Sequence, residues 1–320
     1  MNRTLKNITI VCLCIILFGI GLTGTGLLLG GTLFFSYDIG AHKMLTYKDM
    51  EYKITTDNID AFTSIDITTD ALDITIESGD TYSISYPESE YEATTYTVKD
   101  NVLTVTSKDN FKNGIFFFNS YHTDRRCVIT VPDSSTLNDI TISSRDGDCK
   151  ITKQSVGNMN LTVKYGDTIL EKCTIENGNY KLSDGDLLLD DCEITEINGN
   201  LSYGDCTIKN CTINENVFDL SDGDFTLENT VSGSTDVSMK YGGLSITKSS
   251  IDILTAQLQD GDCTIHMDDS ITSYSANLYT DDGDIIINGQ EQGEQYHSNG
   301  SDKKSIDVST KYGDIEIKYQ

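Results

Sequence analysis

Apolar and polar residues alternate in short runs through most of this chain, from about residue 62 to residue 317. Alternation with a period of two is typical of strands that bury one face. The runs are rich in Val, Ile, Thr and Tyr, and Gly, Asp and Asn separate them, as expected for strands joined by tight turns. The pattern therefore predicts an all-β fold.

A Gly-Asp turn returns along these strands at a fixed interval. From Gly147 to Gly261, each turn glycine follows the previous one by 19 residues. Apolar residues mostly fill three pairs of positions: two and four after the glycine, seven and nine after it, and five and three before it. We interpret the glycines as structural turn residues. They are Gly147, Gly166, Gly185, Gly204, Gly223, Gly242 and Gly261, with looser copies at Gly283 and Gly313.

Self-similarity at such a period predicts a solenoid, in which each coil buries its apolar side by stacking on its neighbours. Each apolar pair is one inward-facing strand segment, so a 19-residue coil holds three short strands. The residue before the glycine alternates between Asp and Tyr from Asp146 to Asp260, which keeps like charges apart in an in-register stack. The sequence thus predicts a single-stranded parallel β-solenoid (β-helix), whose handedness it leaves open.

The N-terminus has a different pattern. No charged residue occurs between Ile8 and Phe35, and this run is long enough to cross a hydrocarbon core of roughly 30 Å as a helix. Arg3 and Lys6 precede the run, which predicts a cytoplasmic N-terminus and an extracytoplasmic remainder. The run is longer than the core of a signal peptide, so we expect an uncleaved single-pass anchor in the cell membrane. A cleaved signal peptide is the alternative.

These patterns divide the chain into five segments. Residues 1–7 are predicted to be a cytoplasmic N-terminus, 8–36 a transmembrane helix and 37–61 a tether without clear periodicity. Residues 62–139 lack the repeat register and are expected to form the N-terminal cap and first coils, and residues 140–320 the regular solenoid. Asp100-Asn101 predicts a hairpin turn within the cap. The polar insert at 288–304 is expected to cover the C-terminal end, where an open strand edge invites pairing with another chain.

The chain is strongly acidic, with a formal net charge of −27. Nucleic acid and anionic lipid head groups need basic patches, so neither is an expected partner. The histidines are scattered without metal-ligand spacing, and the short coils leave few loops from which a catalytic groove is built. We therefore expect no enzyme, no catalytic residue and no cofactor. A glycan-active enzyme is the least favoured alternative.

Calcium is the one ion that the turns suggest, because it prefers several oxygen ligands. The weak candidates are the aspartates that follow the turn glycines: Asp148, Asp167, Asp186, Asp205, Asp224 and Asp262. The Gly-Gly-x-Gly-x-Asp repeat of calcium-binding β-rolls is absent, and aspartates in turns commonly bond to the turn backbone. A structural role is therefore the favoured interpretation, with calcium binding as the alternative.

Six of the nine cysteines fall into two groups set by the repeat. Cys149, Cys206 and Cys263 lie two residues after a turn glycine, whereas Cys173, Cys192 and Cys211 lie seven after one. Other repeats fill both positions with apolar or small residues, so we expect buried free thiols rather than disulfides.

The motif order resembles a known family. Thr-Val-Pro-Asp at 130–133 and Leu-Asn-Asp-Ile-Thr-Ile at 137–142 precede repeated Ser/Tyr-Gly-Asp-x-x-Ile units, an order similar to the bacterial "putative adhesin" domain family of unknown function. The resemblance covers roughly residues 60–320. It implies a membrane anchor ahead of a β-solenoid, mostly in Gram-positive bacteria, and supplies no catalytic residues.

These features predict a membrane-anchored, extracytoplasmic β-solenoid that serves as a structural or interaction module, of adhesin type, in the bacterial cell envelope. Its expected partner is an envelope protein or a cell-wall or surface glycan. The runner-up is a cation-dependent carbohydrate-binding module.

Overall fold

The computed structural model describes residues 3–29, 35–39, 42–46, 52–88, 92–109, 114–117 and 125–319. The chain divides into two compact units. The first comprises Met1–Lys53, Ser89–Ala93 and Asp109–Asp124, and the second comprises Ile54–Glu88, Thr94–Lys108 and Arg125–Gln320.

The described residues form helix α1 (Arg3–Leu28) and a long series of strands. Those before the regular repeats are β1 (Phe35–Asp38), β2 (Lys43–Thr46), β3 (Lys53–Asn58), β4 (Ser64–Thr69), β5 (Asp73–Gly79), β6 (Ser83–Glu88), β7 (Glu92–Lys99), β8 (Val102–Asp109), β9 (Gly114–Phe117) and β10 (Arg126–Pro132). The repeats contribute β11 (Thr136–Asp146), β12 (Cys149–Thr152), β13 (Ser155–Tyr165), β14 (Thr168–Glu171), β15 (Thr174–Asp184), β16 (Leu187–Asp190), β17 (Glu193–Leu201), β18 (Cys206–Lys209), β19 (Thr212–Leu220), β20 (Phe225–Glu228), β21 (Val231–Tyr241), β22 (Leu244–Thr247), β23 (Ser250–Asp260) and β24 (Cys263–Met267). After a 3-10 turn (Ile271–Ser273) come β25 (Tyr274–Asp282), β26 (Ile285–Ile287), β27 (Gln290–Glu291), β28 (Gln295–Ser298), β29 (Ser301–Tyr312) and β30 (Ile315–Tyr319).

The first unit contains α1 and a small sheet in which β1 pairs antiparallel with β2 and β9. The helix ends at Leu28, earlier than the predicted span of 8–36. Two glycines, Gly30 and Gly31, follow in the sequence, and glycine is a poor helix former. From Thr9 to Leu28 the helix is long and apolar enough to cross a membrane, judged by length and composition.

Most strands of the second unit stack into two sheets, of 14 and 13 strands. In each regular coil a short strand of the first sheet is followed by a long strand of the second, as β18 is followed by β19. Each strand pairs parallel with its counterpart 19 residues further along, for example Cys206 with Phe225. The predicted parallel solenoid with 19-residue coils is confirmed.

Two of the three predicted strand segments in each coil join into one bent strand. They are the segment that begins seven residues after one turn glycine and the segment that precedes the next glycine. In β15, the pairing with β13 skips one residue between Ile175 and Asn177, and the next buried residue is Gly178. Alternation of buried side chains therefore breaks once and resumes in the opposite phase, while the register between the two strands is unchanged. The strand bends at this point, and its pairing with the neighbouring strand continues on both sides of the bend.

Extra strands complete both sheets at the N-terminal end. Strands β4 and β5 form a coil in register with β11 and β12, and β8 and β10 form the next coil outward. The hairpin between β7 and β8 turns at Asp100 and Asn101, both with left-handed φ (52° and 63°), as predicted. The expected tether at 37–61 requires a correction, because it contains β2, which pairs with β1, and β3, an edge strand of the 14-stranded sheet. Most side chains of β3 are exposed, so it carries no clear hydrophobic alternation.

The C-terminal end does not follow chain order. Strands β29 and β30 lie between the coil of β23 and β24 and the coil of β25 and β26. The insert at 288–304 includes β27 and β28, which pair antiparallel with β26 and β25. The insert thus covers an end of the stack, as predicted, but it covers the coil of β25 and β26. The last strand of the chain is interior.

Candidate functional site: the Gly-Asp corner

The Gly-Asp corner is the edge of the stack formed by each turn glycine and the residues directly before and after it. The backbone there is both left-handed and crowded. Gly204 and Gly223 have φ values of 130° and 141°, and a Cβ on Gly223 would lie 2.0 Å from the carbonyl oxygen of Gly204. At Gly261 the corresponding distance, to Gly242, is 1.9 Å. Only glycine fits such a position.

The aspartates after the glycines form a hydrogen-bonded column, which we call the aspartate ladder. The Oδ1 atom of Asp205 accepts the backbone N–H of Asp224 at 2.8 Å, and Asp186 accepts from Asp205 at 2.8 Å. The same contact recurs from Asp73 through Asp148, Asp167 and Asp186, and again from Asp262 through Asp314 to Asp284. Gly243 interrupts the ladder, although its own N–H donates to Asp224 at 2.7 Å.

The ladder explains how aspartates can occupy this column in adjacent coils without alternating with an uncharged residue. Each charged oxygen receives a backbone N–H, and a charge-assisted bond of this kind offsets repulsion between neighbours. All six calcium candidates, from Asp148 to Asp262, belong to the ladder, and their side chains are exposed. Among the described residues, no group of three or more His, Cys, Asp or Glu side chains could hold a metal ion. Calcium binding at these aspartates stays a prediction.

The residues before the glycines form a second column of alternating Asp and Tyr. Asp146 pairs with Tyr165, Tyr165 with Asp184, and Tyr241 with Asp260. In the sequence the alternation fails after Asp260, where Asp282 precedes Tyr312. In the structure it is restored, because Tyr312 pairs with Asp260 on one side and with Asp282 on the other.

Exposed tyrosines are the main apolar feature of this corner. We call Tyr165, Tyr203, Tyr241 and Tyr312 the tyrosine stripe; 45%, 61%, 44% and 47% of their surfaces are exposed. A lysine ammonium lies 5.0 to 5.2 Å from the ring centres of Tyr165, Tyr241 and Tyr312. Such cation–π contacts restrain the ring orientation. Tyr203, which follows Ser202 rather than a lysine, is the most exposed.

A second corner lies six residues after each glycine. It too has left-handed backbone, with φ between 49° and 56°, but no glycine; its residues are Lys153, Lys172, Asp191, Asn210, Asn229 and Lys248. The next residue bonds the turn through its side chain. The Cys192 thiol donates to the Asp190 carbonyl oxygen at 3.4 Å, and the Thr230 hydroxyl donates to Glu228 at 3.0 Å.

The described cysteines are free, and all of those in the second unit are buried, as predicted. Cys173, Cys192 and Cys211 belong to the hydrogen-bonded column of the second corner, where the Sγ of Cys192 accepts the N–H of Cys173 at 3.4 Å. Cys149, Cys206 and Cys263 belong to an apolar column inside the stack. Burial raises the pKa of Cys149 and Cys263 to about 12, which keeps both thiols protonated and unreactive at neutral pH.

The surface also carries a shallow open groove, of about 580 Å³, along the bend in the long strands. It runs from Thr136 to Ser250, and its lining combines aliphatic side chains such as Ile175, Ile194 and Ile213 with hydroxyl and carboxylate groups. Part of its lining is the recurring apolar position nine residues after the turn glycine, which the sequence pattern assigned to an inward-facing strand.

Similar solved structures include proteins from Bacteroides and Parabacteroides. A protein from Bacteroides fragilis described as a putative adhesin is 14% identical, with 85% of this chain and 98% of that chain covered and a TM-score of 0.38. A protein described as putative lipid binding from Parabacteroides distasonis is 12% identical, with the same coverage and a TM-score of 0.46. Among proteins with curated descriptions, none matches the sequence.

The family assignment comes from the sequence of the solenoid. The matching family model spans residues 62–318, which begins at the first buried residue of the cap and ends in β30. On this match, which extends over most of the chain, the protein belongs to the Toastrack DUF4097 family.

Proposed function

We propose that the protein is a single-pass, membrane-anchored module of the bacterial cell envelope, with its solenoid outside the cell. The solenoid serves as a structural or interaction surface of adhesin type, with an envelope protein or a surface glycan as its partner. It performs no catalysis.

The observation that carries this proposal is the apolar helix at the start of the chain. Between Thr9 and Leu28 its side chains are exposed rather than packed into a core. An exposed apolar surface of this length needs a nonaqueous surrounding. Arg3 and Lys6 precede it, which favours a cytoplasmic N-terminus.

The non-catalytic part of the proposal is supported by how the acidic residues are used. The regularly repeated carboxylates of the Gly-Asp corner accept backbone N–H groups along most of the ladder. Groups that hold the backbone in this way are structural, and a long regular surface suits recognition better than chemistry.

Antibody accessibility tests the topology. The full-length chain would carry different epitopes at its two ends and be expressed in a Gram-positive host, from which protoplasts are prepared. We expect antibodies to bind the C-terminal epitope on intact protoplasts and the N-terminal epitope only after lysis. Binding of the C-terminal epitope only after lysis would contradict the proposal. Release of a shortened chain without its N-terminal epitope would show a cleaved signal peptide instead.

A thermal melt tests the cation-dependent alternative. A ligand that binds only the folded state raises the melting temperature by mass action. For the full-length protein in detergent, we expect equal melting temperatures in millimolar calcium, magnesium and chelator. A rise specific to calcium that is lost in Asp205→Asn would assign the ladder as a calcium site and favour the cation-dependent carbohydrate-binding module.

A further inference from the structure

The tyrosine stripe has a regular spacing. Its rings occupy every second coil, and adjacent strands lie about 4.8 Å apart, so successive rings are about 9.6 Å apart. The rearranged C-terminal coil preserves this interval, because Tyr312 follows Tyr241 with Asp260 between them. Tyr165, Tyr203, Tyr241 and Tyr312 therefore form a straight row that spans about 29 Å.

Electrostatics accounts for the alternation but not for the tyrosines. Separating the carboxylates of Asp184, Asp222 and Asp260 requires only an uncharged residue in the coils between them. Serine, threonine or asparagine would meet that requirement and leave less apolar surface in water. Each intervening position nevertheless carries a ring that is 44% to 61% exposed. Exposed aromatic residues in a row are characteristic of a recognition surface.

We propose that the tyrosine stripe binds a linear, uncharged β-1,4-linked polysaccharide, with one ring for every two sugars. In such a polymer alternate sugars present the same face, and the length of two sugars is close to the spacing between successive rings. Aromatic side chains contact the C–H faces of sugars, and the tyrosine hydroxyl can bond to sugar hydroxyls. This inference rests on the proposed function, which exposes the solenoid to envelope glycans.

The charges around the stripe disfavour an anionic polymer. Exposed aspartates separate successive rings, and the aspartate ladder runs beside them with one carboxylate in nearly every coil. A polymer with a carboxylate or phosphate in each repeat would meet like charges along its whole length. The lysines beside Tyr165, Tyr241 and Tyr312 are engaged with the rings and offset only part of this negative charge.

Calorimetric titration of the purified full-length protein in detergent tests the proposal. The probes are oligomers of β-1,4-linked N-acetylglucosamine and of β-1,4-linked glucose, from three to eight sugars. We expect affinity to rise in steps of two sugars, because each step reaches one further ring. If only the amino sugars bind, the acetamido group contributes to recognition; if both bind, the shared backbone suffices. Failure of both series to bind would overturn the proposal.

Matched variants separate the stripe from other surfaces. Tyr203→Ala should weaken hexamer binding roughly fivefold and Tyr203→Ala/Tyr241→Ala roughly 25-fold, the scale of exposed aromatic contacts. The control is Tyr279→Ala, which removes an exposed tyrosine that pairs with Ser309, outside the stripe. Equal effects of Tyr203→Ala and Tyr279→Ala would contradict a specific role for the stripe.

A charged probe checks whether the aspartates alone attract the polymer. The hexamer of β-1,4-linked glucosamine lacks the acetyl groups and is cationic. It would therefore bind an acidic surface without contacting the tyrosine rings. Binding of this probe alone, unchanged in Tyr203→Ala, would overturn the proposal in favour of cation exchange. The titration uses purified protein, so its outcome does not depend on which side of the membrane the solenoid occupies. Failure of the polysaccharide proposal and failure of the topology proposal can therefore be told apart.

Discussion

Both tight corners of each coil contain a residue with positive φ, as at Gly204 and Asn210, but the two corners use different residue types. At the Gly-Asp corner, a Cβ on Gly204 would lie 2.2 Å from the carbonyl oxygen of Gly185 in the adjacent coil. At the second corner, Asn210 has room for a side chain that bonds to Asp190 at 2.9 Å. The φ of 56° at Asn210 therefore does not require glycine, whereas the φ of 130° at Gly204, combined with crowding between coils, does.

The comparison extends to the residues beside each corner. At the second corner a thiol or hydroxyl bonds to the turn, so cysteine, threonine and serine replace one another at Cys211, Thr230 and Ser249. Beside the Gly-Asp corner, the inward position is apolar, and cysteine there replaces isoleucine, leucine or phenylalanine. One residue type thus serves as a hydrogen-bonding group in one column and as a hydrophobic group in the other.

The largest predicted effect compares alanine at the two corners. Gly204→Ala forces a methyl group into a backbone carbonyl and should lower the free energy of unfolding by about 4 kcal/mol or more. Asn210→Ala retains the space but loses side-chain hydrogen bonds, and should cost about 1–2 kcal/mol. Denaturant unfolding of the full-length variants measures both. Equal losses would contradict the role assigned to crowding.

Alkaline pH should destabilise the fold through the apolar cysteine column. In the unfolded chain a thiol loses its proton near pH 9.0, whereas the folded pKa of Cys149 is about 12. Between these values the unfolded state binds fewer protons, so stability decreases as pH rises, by about 1.4 kcal/mol per pH unit for each such thiol. Below pH 9 this contribution is pH-independent and fully present. Melting temperatures between pH 8 and 11 should fall less steeply for Cys149→Val than for the unsubstituted chain; identical slopes would contradict the assignment.

Serine substitution should distinguish the two cysteine columns. Cys206→Ser places a hydroxyl between Leu187 and Phe225 in the apolar column, and should cost about 2 kcal/mol. Cys192→Ser keeps a donor for the Asp190 carbonyl and should cost about 0.5 kcal/mol. Thr168, in the same column as Cys206, has a buried hydroxyl oxygen without a hydrogen-bond partner. Denaturation midpoints measure the difference, and a more costly Cys192→Ser would reverse the interpretation.

The smallest predicted effect is a gain from completing the aspartate ladder. Gly243 lacks the positive φ of the turn glycines, and a Cβ there meets its nearest atom, the carbonyl oxygen of Asp262, at 3.4 Å. Gly243→Asp should place a carboxylate beside the Asp262 N–H and raise the free energy of unfolding by about 0.5–1 kcal/mol. The control is Gly243→Ala, which restricts the unfolded chain but supplies no acceptor. A smaller gain for aspartate than for alanine would contradict the ladder's stabilising role.

The repeat period allowed much of the fold to be predicted from the sequence. In-register stacking was predicted from the 19-residue spacing and the alternation of Asp with Tyr. Burial of the thiols was predicted from their positions relative to the turn glycines. The same alternation contained a signal for the C-terminal order, because only insertion of the Tyr312 coil between Asp260 and Asp282 restores it. Sequence order alone does not reveal that insertion.

Other features depend on contacts between coils, and no local sequence pattern predicts them. Gly199 has an ordinary backbone, but its missing side chain makes room for the ring of Phe218 in the next coil, which a Cβ would approach to 2.1 Å. The lysines at left-handed positions, such as Lys153, have no turn preference that marks them. The spacing of the ladder aspartates is visible in the sequence, but their hydrogen-bond donor is not, since the donor belongs to a neighbouring coil.

The position of β30 has a mechanical consequence. A solenoid whose last strand lies at its edge can be unzipped from that terminus one hydrogen bond at a time. Here the strand is held on both sides, by β24 and by β26, so a pull on the C-terminus must shear two rows of backbone bonds at once. A pull applied at β30 would therefore be resisted by both neighbouring strands.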